Sequence, residues 1–169
     1  MTNRKILLST AATLLALSAC AKKRVDLPPE PVGTNPTDTS GATGLGAAAP
    51  GSQEDFVASI SSDRIYFDTD RFDVDGEDQA TLQSQAQWLA RYPAVRVTVE
   101  GHADERGTRE YNLALGERRA NSAKNALASL GVDAARISTI SYGKERPDAL
   151  GSDEASWARN RRAVSVTVR

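Results

Sequence analysis

The residues of this chain that could carry chemistry are concentrated in one run that follows a predicted strand, Gly101-His102-Ala103-Asp104-Glu105-Arg106-Gly107. The adjacent carboxylates of Asp104 and Glu105 could act together as an acid and a base. The glycines match neither a phosphate-binding loop nor a dinucleotide fingerprint. The residue types therefore leave open a carboxylate pair, a binding loop and a simple tight turn.

Arginines accompany this run at two other places in the sequence. Arg119 lies in a predicted helix, and Arg159-Asn160-Arg161-Arg162 leads into the last predicted strand. A planar guanidinium can bind a carboxylate through two parallel N–H bonds. Surface arginines are also commonly solvated, or held in weak ion pairs. The sequence leaves both interpretations open at this point.

Composition excludes several classes of function. The 169 residues include 21 basic and 22 acidic side chains, one cysteine and one histidine. A net charge of −1 is not the basic excess of a nucleic-acid-binding domain. One cysteine cannot form an intrachain disulfide, and with one histidine it cannot build a Cys- or His-rich zinc site. We therefore predict no nucleic-acid partner and no cysteine nucleophile. Because the sequence also shows no metal-ligand set and no nucleophile–base pair, we predict no metal site, no cofactor and no catalytic residues.

The first twenty residues have the character of an export signal. Arg4 and Lys5 precede the apolar stretch 6–17, which is too short to span a bilayer. The stretch ends in Leu17-Ser18-Ala19-Cys20, which resembles the box at which bacterial lipoproteins are cleaved and lipidated. We predict a signal peptide over 1–19 and a diacylglycerol on Cys20. Ala21 after the cysteine resembles the pattern of sorting to the outer membrane.

A flexible linker is predicted over 20–55, after the lipidated cysteine. Residues 21–55 contain five of the seven prolines, five of the twelve glycines and no aromatic residue. Such a segment buries too little apolar surface to offset its ordering entropy. All nine aromatic residues lie from Phe56 to Trp157, so we place the folded domain at 56–169.

The hydrophobic pattern of that domain predicts an α+β fold. Val95, Val97 and Val99 alternate with polar residues, as in a half-buried strand, and Leu82, Ala86 and Leu89 recur at helical spacing. Strands are expected at 64–67, 95–100, 137–142 and 163–168, and helices at 75–91, 108–130 and 153–159. The order β-α-β-α-β-(α)-β predicts a two-layer α/β sandwich with a four-stranded mixed sheet. Gly116 conflicts with helix propensity unless another element approaches it closely.

Residues 101–162 contain a series of short motifs: Gly101-His102-Ala103-Asp104, Tyr111-Asn112, Arg118-Arg119-Ala120, Tyr142-Gly143, Pro147 and Asn160-Arg161-Arg162. In their order and spacing they resemble the OmpA-like peptidoglycan-binding domain family. With the lipoprotein box, the chain resembles the lipid-anchored members that belong to the Tol–Pal system. Trp157 is a departure, because related lipoproteins often have tyrosine there, and we expect it to affect packing rather than the site.

This resemblance implies a ligand and a set of contacts. The ligand is diaminopimelate in the stem peptide of peptidoglycan, whose zwitterionic end would be held by Asp104 and Arg119. Asn112 and Arg161 match further ligand contacts of the family. The weaker carry-overs are Phe67 and Asp68, at the end of the first predicted strand.

The resemblance also implies a location and partners. The domain would face the periplasm from a lipid anchor in the outer membrane, bind peptidoglycan without a covalent bond, and work with TolB and TolA in envelope integrity and cell division. The alternatives are a cell-wall hydrolase that uses Asp104 and Glu105, and another membrane-linked wall-binding module. The hydrolase is disfavoured because adjacent acids rarely face each other across a sugar.

Overall fold

The computed structural model describes residues 48–168. The predictions for the signal peptide, for Cys20 and for all of the linker before residue 48 lie outside the described residues. Four helices, four strands and one 3₁₀ turn make up the described part. In chain order they are α1 (Gln53–Ser59), β1 (Arg64–Tyr66), α2 (Gly76–Arg91), β2 (Arg96–His102), α3 (Arg109–Ser129), the 3₁₀ turn (Ala134–Arg136), β3 (Ile137–Gly143), α4 (Glu154–Asn160) and β4 (Arg162–Val168).

The four strands form one mixed sheet in the order β1-β4-β2-β3. β2 and β3 are parallel, whereas β4 pairs antiparallel with both β1 and β2. The parallel β2–β3 pair requires a crossover, which α3 supplies. The predicted α+β architecture with a four-stranded mixed sheet is confirmed.

The core lies between the sheet and helices α2 and α3. The alternation of β2 turns Val97 and Val99 towards the helices, where both are buried. Trp88 and Leu89 of α2 and Leu127 of α3 fill the same core. Burial of each large apolar side chain contributes about 1.5–3 kcal/mol, so this layer fixes where the ends of β2 and α3 lie.

A glycine contact sets the distance between α3 and β2. A Cβ atom added at Gly101 would lie 1.8 Å from the carbonyl oxygen of Gly116, and one added at Gly116 would lie 2.4 Å from Oγ of Ser141. The backbones therefore touch at this crossing, which explains the glycine inside α3. The close approach brings the start of α3 against the end of β2.

Helix α1 corrects the predicted boundary at residue 56. It begins at Gln53, inside the segment assigned to the linker. The Ser52 side chain caps it by accepting a hydrogen bond from the backbone N–H of Asp55. Phe56 is fully buried, with its ring centroid 4.9 Å from that of Trp88. Tertiary packing thus orders a short helix that its composition does not reveal.

Candidate functional site

Asp104 is held as an ionised carboxylate in the loop that follows β2. Its Oδ1 accepts hydrogen bonds from the backbone N–H and from Nε of Arg106, both at 3.1 Å, and its Oδ2 accepts from Arg106 Nη2 at 2.6 Å. Arg161 Nη1 lies 3.6 Å from the same Oδ2. Burial by itself would raise the pKa of Asp104, but the bonds from Arg106 outweigh it and leave the pKa below the ordinary aspartate value.

Arg119 is a fully buried cation on α3. Its Nε donates to the carbonyl oxygen of Arg71 (2.9 Å), its Nη1 to that of His102 (2.8 Å) and its Nη2 to that of Asp68 (3.0 Å). Burial lowers the pKa of Arg119 to about 10, so the group remains charged at neutral pH. Beyond these three bonds, Nη1 and Nη2 each carry a second N–H. These two N–H groups are the donors of the Arg119 side chain beyond its bonds to the three carbonyl oxygens.

Asp104 and Arg119 line the same pocket, which has a volume of about 320 Å³. We call it the Asp104 pocket; its lining includes Thr69, Asp70, Asp104, Arg106, Tyr111, Asn112 and Arg119. Buried Asn112 donates from Nδ2 to the carbonyl oxygen of Arg106 at 2.7 Å, which fixes the loop. The structure therefore brings together three of the predicted site residues, Asp104, Asn112 and Arg119.

The other predicted contacts, Arg161, Phe67 and Asp68, do not line the Asp104 pocket. Arg161 donates from Nε to the carbonyl oxygen of Phe67 and from Nη2 to Glu154. Phe67 and Asp68 line a neighbouring pocket together with Arg161. Their carbonyl oxygens hold Arg161 and Arg119, and the Phe67 ring lies 5.2 Å from the Arg119 guanidinium. In this structure they support the site from outside the Asp104 pocket.

Sequence reasoning missed four polar side chains that line the Asp104 pocket. Thr69 and Asp70 occupy the wall two positions beyond the predicted Phe67 and Asp68. The hydroxyl of Tyr111 donates a hydrogen bond to Asp70 at 3.0 Å, which links the segment after β1 to α3. Arg106 had a local signal, because an aspartate commonly accepts the backbone N–H two residues later.

Asp104 and Glu105 do not face one another across a common site. Glu105 lines a different pocket with Lys144 and accepts a hydrogen bond from Trp157 Nε1 at 3.0 Å. Hydrogen bonds from Ser152 and Trp157 hold the pKa of Glu105 below its ordinary value. Both carboxyls are therefore ionised, and neither is poised as a general acid.

Trp157 touches the site, contrary to the expectation that it affects packing alone. Besides its bond to Glu105, its ring lies 4.2 Å from the Arg106 guanidinium. His102, by contrast, is buried, and burial together with Arg162 lowers its pKa to about 4. Its side chain is therefore neutral and lies outside the lining of the Asp104 pocket.

Residues 48–168 contain no cluster of three or more histidine, cysteine or acidic side chains suited to a metal ion. None of the helices in this part of the chain has the length and apolar character that a membrane span requires.

A family model described as the OmpA family matches residues 66–161, the part that contains the whole Asp104 pocket. The chain belongs to the OmpA family. Within the family, a protein of Agrobacterium fabrum named peptidoglycan-associated lipoprotein is 55% identical over 152 residues, which cover 90% of this chain and 81% of the relative. A protein of the same name from Rhizobium meliloti is 53% identical over 153 residues, which cover 90% of this chain and 81% of that relative.

Solved structures agree with this placement. The crystal structure of the peptidoglycan-associated lipoprotein from Burkholderia pseudomallei matches with 47% identity and a TM-score of 0.63, covering 68% of this chain and all of that one. The C-terminal domain of Helicobacter pylori MotB matches with 20% identity and a TM-score of 0.59, covering 63% of this chain and 84% of that one. At that identity the second match shows the shared fold alone.

Proposed function

We propose that this chain is an outer-membrane lipoprotein whose periplasmic domain binds peptidoglycan non-covalently through diaminopimelate. The observation that supports the proposal is the pairing, in one pocket, of an ionised carboxylate and a buried guanidinium with N–H groups to spare. A lipid on Cys20 would hold the other end of the chain in the membrane, so that the protein tethers the membrane to the cell wall.

The ligand's chemistry fits the two charges. The free end of diaminopimelate carries an ammonium and a carboxylate on the same carbon atom. Asp104 would accept hydrogen bonds from the ammonium, and Arg119 would donate its two remaining N–H groups to the carboxylate. A lysine side chain offers only the ammonium, so it would leave the buried Arg119 without its partner. We therefore expect discrimination between the two kinds of stem peptide.

A hydrolase finds no support in this arrangement. Asp104 is engaged by Arg106, and Glu105 is turned towards another pocket and bonded to Trp157. Glycoside hydrolysis needs two carboxyls flanking the bond, one of them protonated. We propose a binding protein without enzymatic activity.

The partners form part of the same proposal. The lipoprotein names of the relatives and the resemblance of the motifs favour a place in the Tol–Pal system, with TolB in the periplasm and TolA at the inner membrane. In this role the tether would serve envelope integrity and cell division. A wall-binding module with another kind of membrane attachment is less favoured, because the lipoprotein relatives cover 90% of the chain.

Sedimentation with purified cell walls tests the proposal. The chain from residue 21 onwards is mixed with sacculi of the diaminopimelate type and, separately, of the lysine type. We expect it to pellet with the first and to stay in solution with the second. Equal pelleting with both would contradict the zwitterion mechanism, and no pelleting with either would contradict wall binding itself.

A further inference from the structure

Arg106 is hydrogen-bonded to the Asp104 carboxylate, the group that would bind the ammonium of the proposed ligand. Its backbone N–H and its guanidinium together make three hydrogen bonds to Asp104, at 3.1, 3.1 and 2.6 Å. A carboxylate offers about four acceptor positions, and Arg161 Nη1 already lies 3.6 Å from Oδ2. An incoming ammonium with three donors would therefore compete with Arg106 for the same oxygens.

Trp157 holds the Arg106 guanidinium in this position. The guanidinium lies 4.2 Å from the centroid of the indole ring, within the range of a cation–π contact. The indole N–H also donates to Glu105, the residue between Asp104 and Arg106. The Trp157 side chain therefore contacts two consecutive residues of the loop, Glu105 and Arg106. Arg106 Nη2 also donates to Thr69 across the pocket, at 3.3 Å.

The position of Arg106 makes it displaceable, unlike the other cations near Asp104. Its side chain is 39% exposed, whereas that of Arg161 is 7% exposed and Arg119 is fully buried. Because its guanidinium reaches solvent, Arg106 can turn outward when another cation takes its place at the buried Asp104 carboxylate, whereas Arg161 and Arg119 are enclosed.

We propose that Arg106, positioned by Trp157, is an internal competitor that a ligand's ammonium must displace from Asp104. The proposal rests on the function proposed above and concerns how strongly the site binds any ammonium. Displacement costs the same for every ammonium, and a protein whose competent state is partly populated binds all ligands more weakly by the same factor. In a ligand that also carries a carboxylate, the hydrogen bonds from Arg119 to that carboxylate offset the free energy of displacing Arg106. A simple amine makes no such bonds. Arg106 thus lowers the affinity for every amine by the same factor. Amines that already bind weakly are excluded, while the ratio of the affinities of two ligands is unchanged.

The test measures binding of two synthetic tripeptides, L-alanyl-γ-D-glutamyl-diaminopimelate and its lysine counterpart, to the chain from residue 21 onwards. Calorimetry compares the unaltered protein with Arg106→Ala. The control is Arg109→Ala, which removes a more exposed arginine of the same region (63% exposed) that pairs with Glu145 and does not line the pocket. We expect Arg106→Ala to bind both tripeptides about three- to tenfold more tightly, and Arg109→Ala to leave both affinities unchanged.

Tryptophan fluorescence gives a second readout that simple loss of packing would not imitate. Trp88 is buried in the core, so a ligand that displaces Arg106 should change the emission of Trp157 alone. We expect the diaminopimelate tripeptide to change the emission of the unaltered protein, and this change to vanish in both Arg106→Ala and Trp157→Phe. Circular dichroism confirms that each variant is folded.

The outcomes separate the two proposals. If Arg106→Ala binds the diaminopimelate tripeptide as weakly as the unaltered protein, or more weakly, the competitor proposal is overturned while wall binding stands. An emission change that persists in Arg106→Ala overturns it as well. If the unaltered protein binds neither tripeptide nor sacculi, the proposed function fails first and the competitor falls with it.

Discussion

Two neighbouring pockets have the same volume of about 320 Å³ and both contain arginine and aspartate, yet they differ in how the charges are held. The second, which we call the Arg159 pocket, is lined by Tyr66, Phe67, Asp68, Arg71, Asp73, Asp75, Ala158, Arg159 and Arg161. Its Arg71 and Asp73 pair with each other at 2.8 Å, and both are about 60% exposed. In the Asp104 pocket Arg119 has no exposure and bonds only carbonyl oxygens.

This difference means that volume alone does not distinguish the proposed binding site from its neighbour. An exposed arginine that already has a carboxylate partner gains little from a second one, because water solvates it in either state. A buried arginine held by neutral carbonyls keeps its charge and part of its donor set for a ligand, and binding costs it no further ordering. The following variants test whether this contrast governs function.

The largest effect is expected for Arg119→Lys. A lysine retains the charge but cannot reach the three carbonyl oxygens of Arg71, His102 and Asp68, so buried acceptors lose their partners. We expect the free energy of unfolding to fall by about 2–4 kcal/mol and sacculus binding to be lost. Urea denaturation and sedimentation measure the two effects. Arg159→Lys, in the exposed pocket, is the control and should change neither; equal effects for the two variants would contradict the comparison.

Asp104→Asn should weaken wall binding with little effect on the fold. Asparagine has the same shape but no charge, so the ammonium loses its counterion, and we expect a loss of about 2–3 kcal/mol in binding free energy. Asp73→Asn removes one charge from the Arg159 pocket and should bind as the unaltered protein does. Calorimetry with the diaminopimelate tripeptide measures both. The comparison is wrong if the Asp73 variant loses as much affinity as the Asp104 variant.

Two buried groups behind the pockets should respond to acid in opposite directions. Asp78 accepts a hydrogen bond from the backbone N–H of Tyr66, which lines the Arg159 pocket, and burial raises the pKa of Asp78 to about 6. The folded state therefore takes up this proton first, so this group adds stability as the pH falls from 6 to 4. His102, behind Arg119, has its pKa lowered by burial to about 4, so it removes stability as the pH falls from 6.5 to 4.

When one of these two groups is removed, the change of unfolding free energy with pH should reflect the other group alone. We expect Asp78→Asn to lose about 1–2 kcal/mol of unfolding free energy between pH 6.5 and 4 beyond any change in the unaltered protein, because His102 then acts alone. His102→Asn should shift in the opposite direction over the same range. Urea titrations at several pH values measure this. Parallel pH profiles for the two variants would show that these groups do not govern acid stability.

The smallest effect is expected for Arg71→Gln. The Arg71 side chain pairs with Asp73 in solvent, whereas its backbone carbonyl, which holds Arg119, is unchanged by the substitution. We expect a change of less than about 0.5 kcal/mol in stability and none in wall binding. Urea denaturation and sedimentation check both values. A clear loss of binding would mean that the Arg159 pocket takes part in recognition.

Periodic elements were predictable from the sequence, and the short helix α1 was not. The alternation through Val97 and Val99 placed β2 correctly, and the conflict at Gly116 correctly indicated a close crossing. Helix α1 has seven residues and one buried apolar side chain, Phe56, so no period can be read from it. Its one local signal was Ser52 three residues before Asp55, an N-terminal capping pattern that the linker composition obscured.

The site was predictable only in part, for geometric reasons. The spacing of Asp104 and Arg119 says nothing about their proximity, which depends on the loop reversal at Gly107 (φ 83°) and on the glycine crossing. The segment after β1 is irregular, and Asp70 has a positive φ of 58°. Strand alternation cannot be extended through such a turn, so no periodic signal identifies Thr69 and Asp70, which line the pocket. Phe67 and Asp68 are predicted from the family resemblance alone.

The placement of α1 has a consequence for how the domain would carry load. Gln53 of α1 accepts hydrogen bonds from Thr167 near the end of β4, whereas Arg161, just before β4, borders Asp104. The contact between α1 and β4 and the Asp104 pocket thus lie at opposite ends of β4, a strand about 20 Å long. A pull between membrane and wall would run along β4 and shear its hydrogen bonds to β1 and β2 together. Force shared across two ladders strains each bond less than force that opens them one at a time.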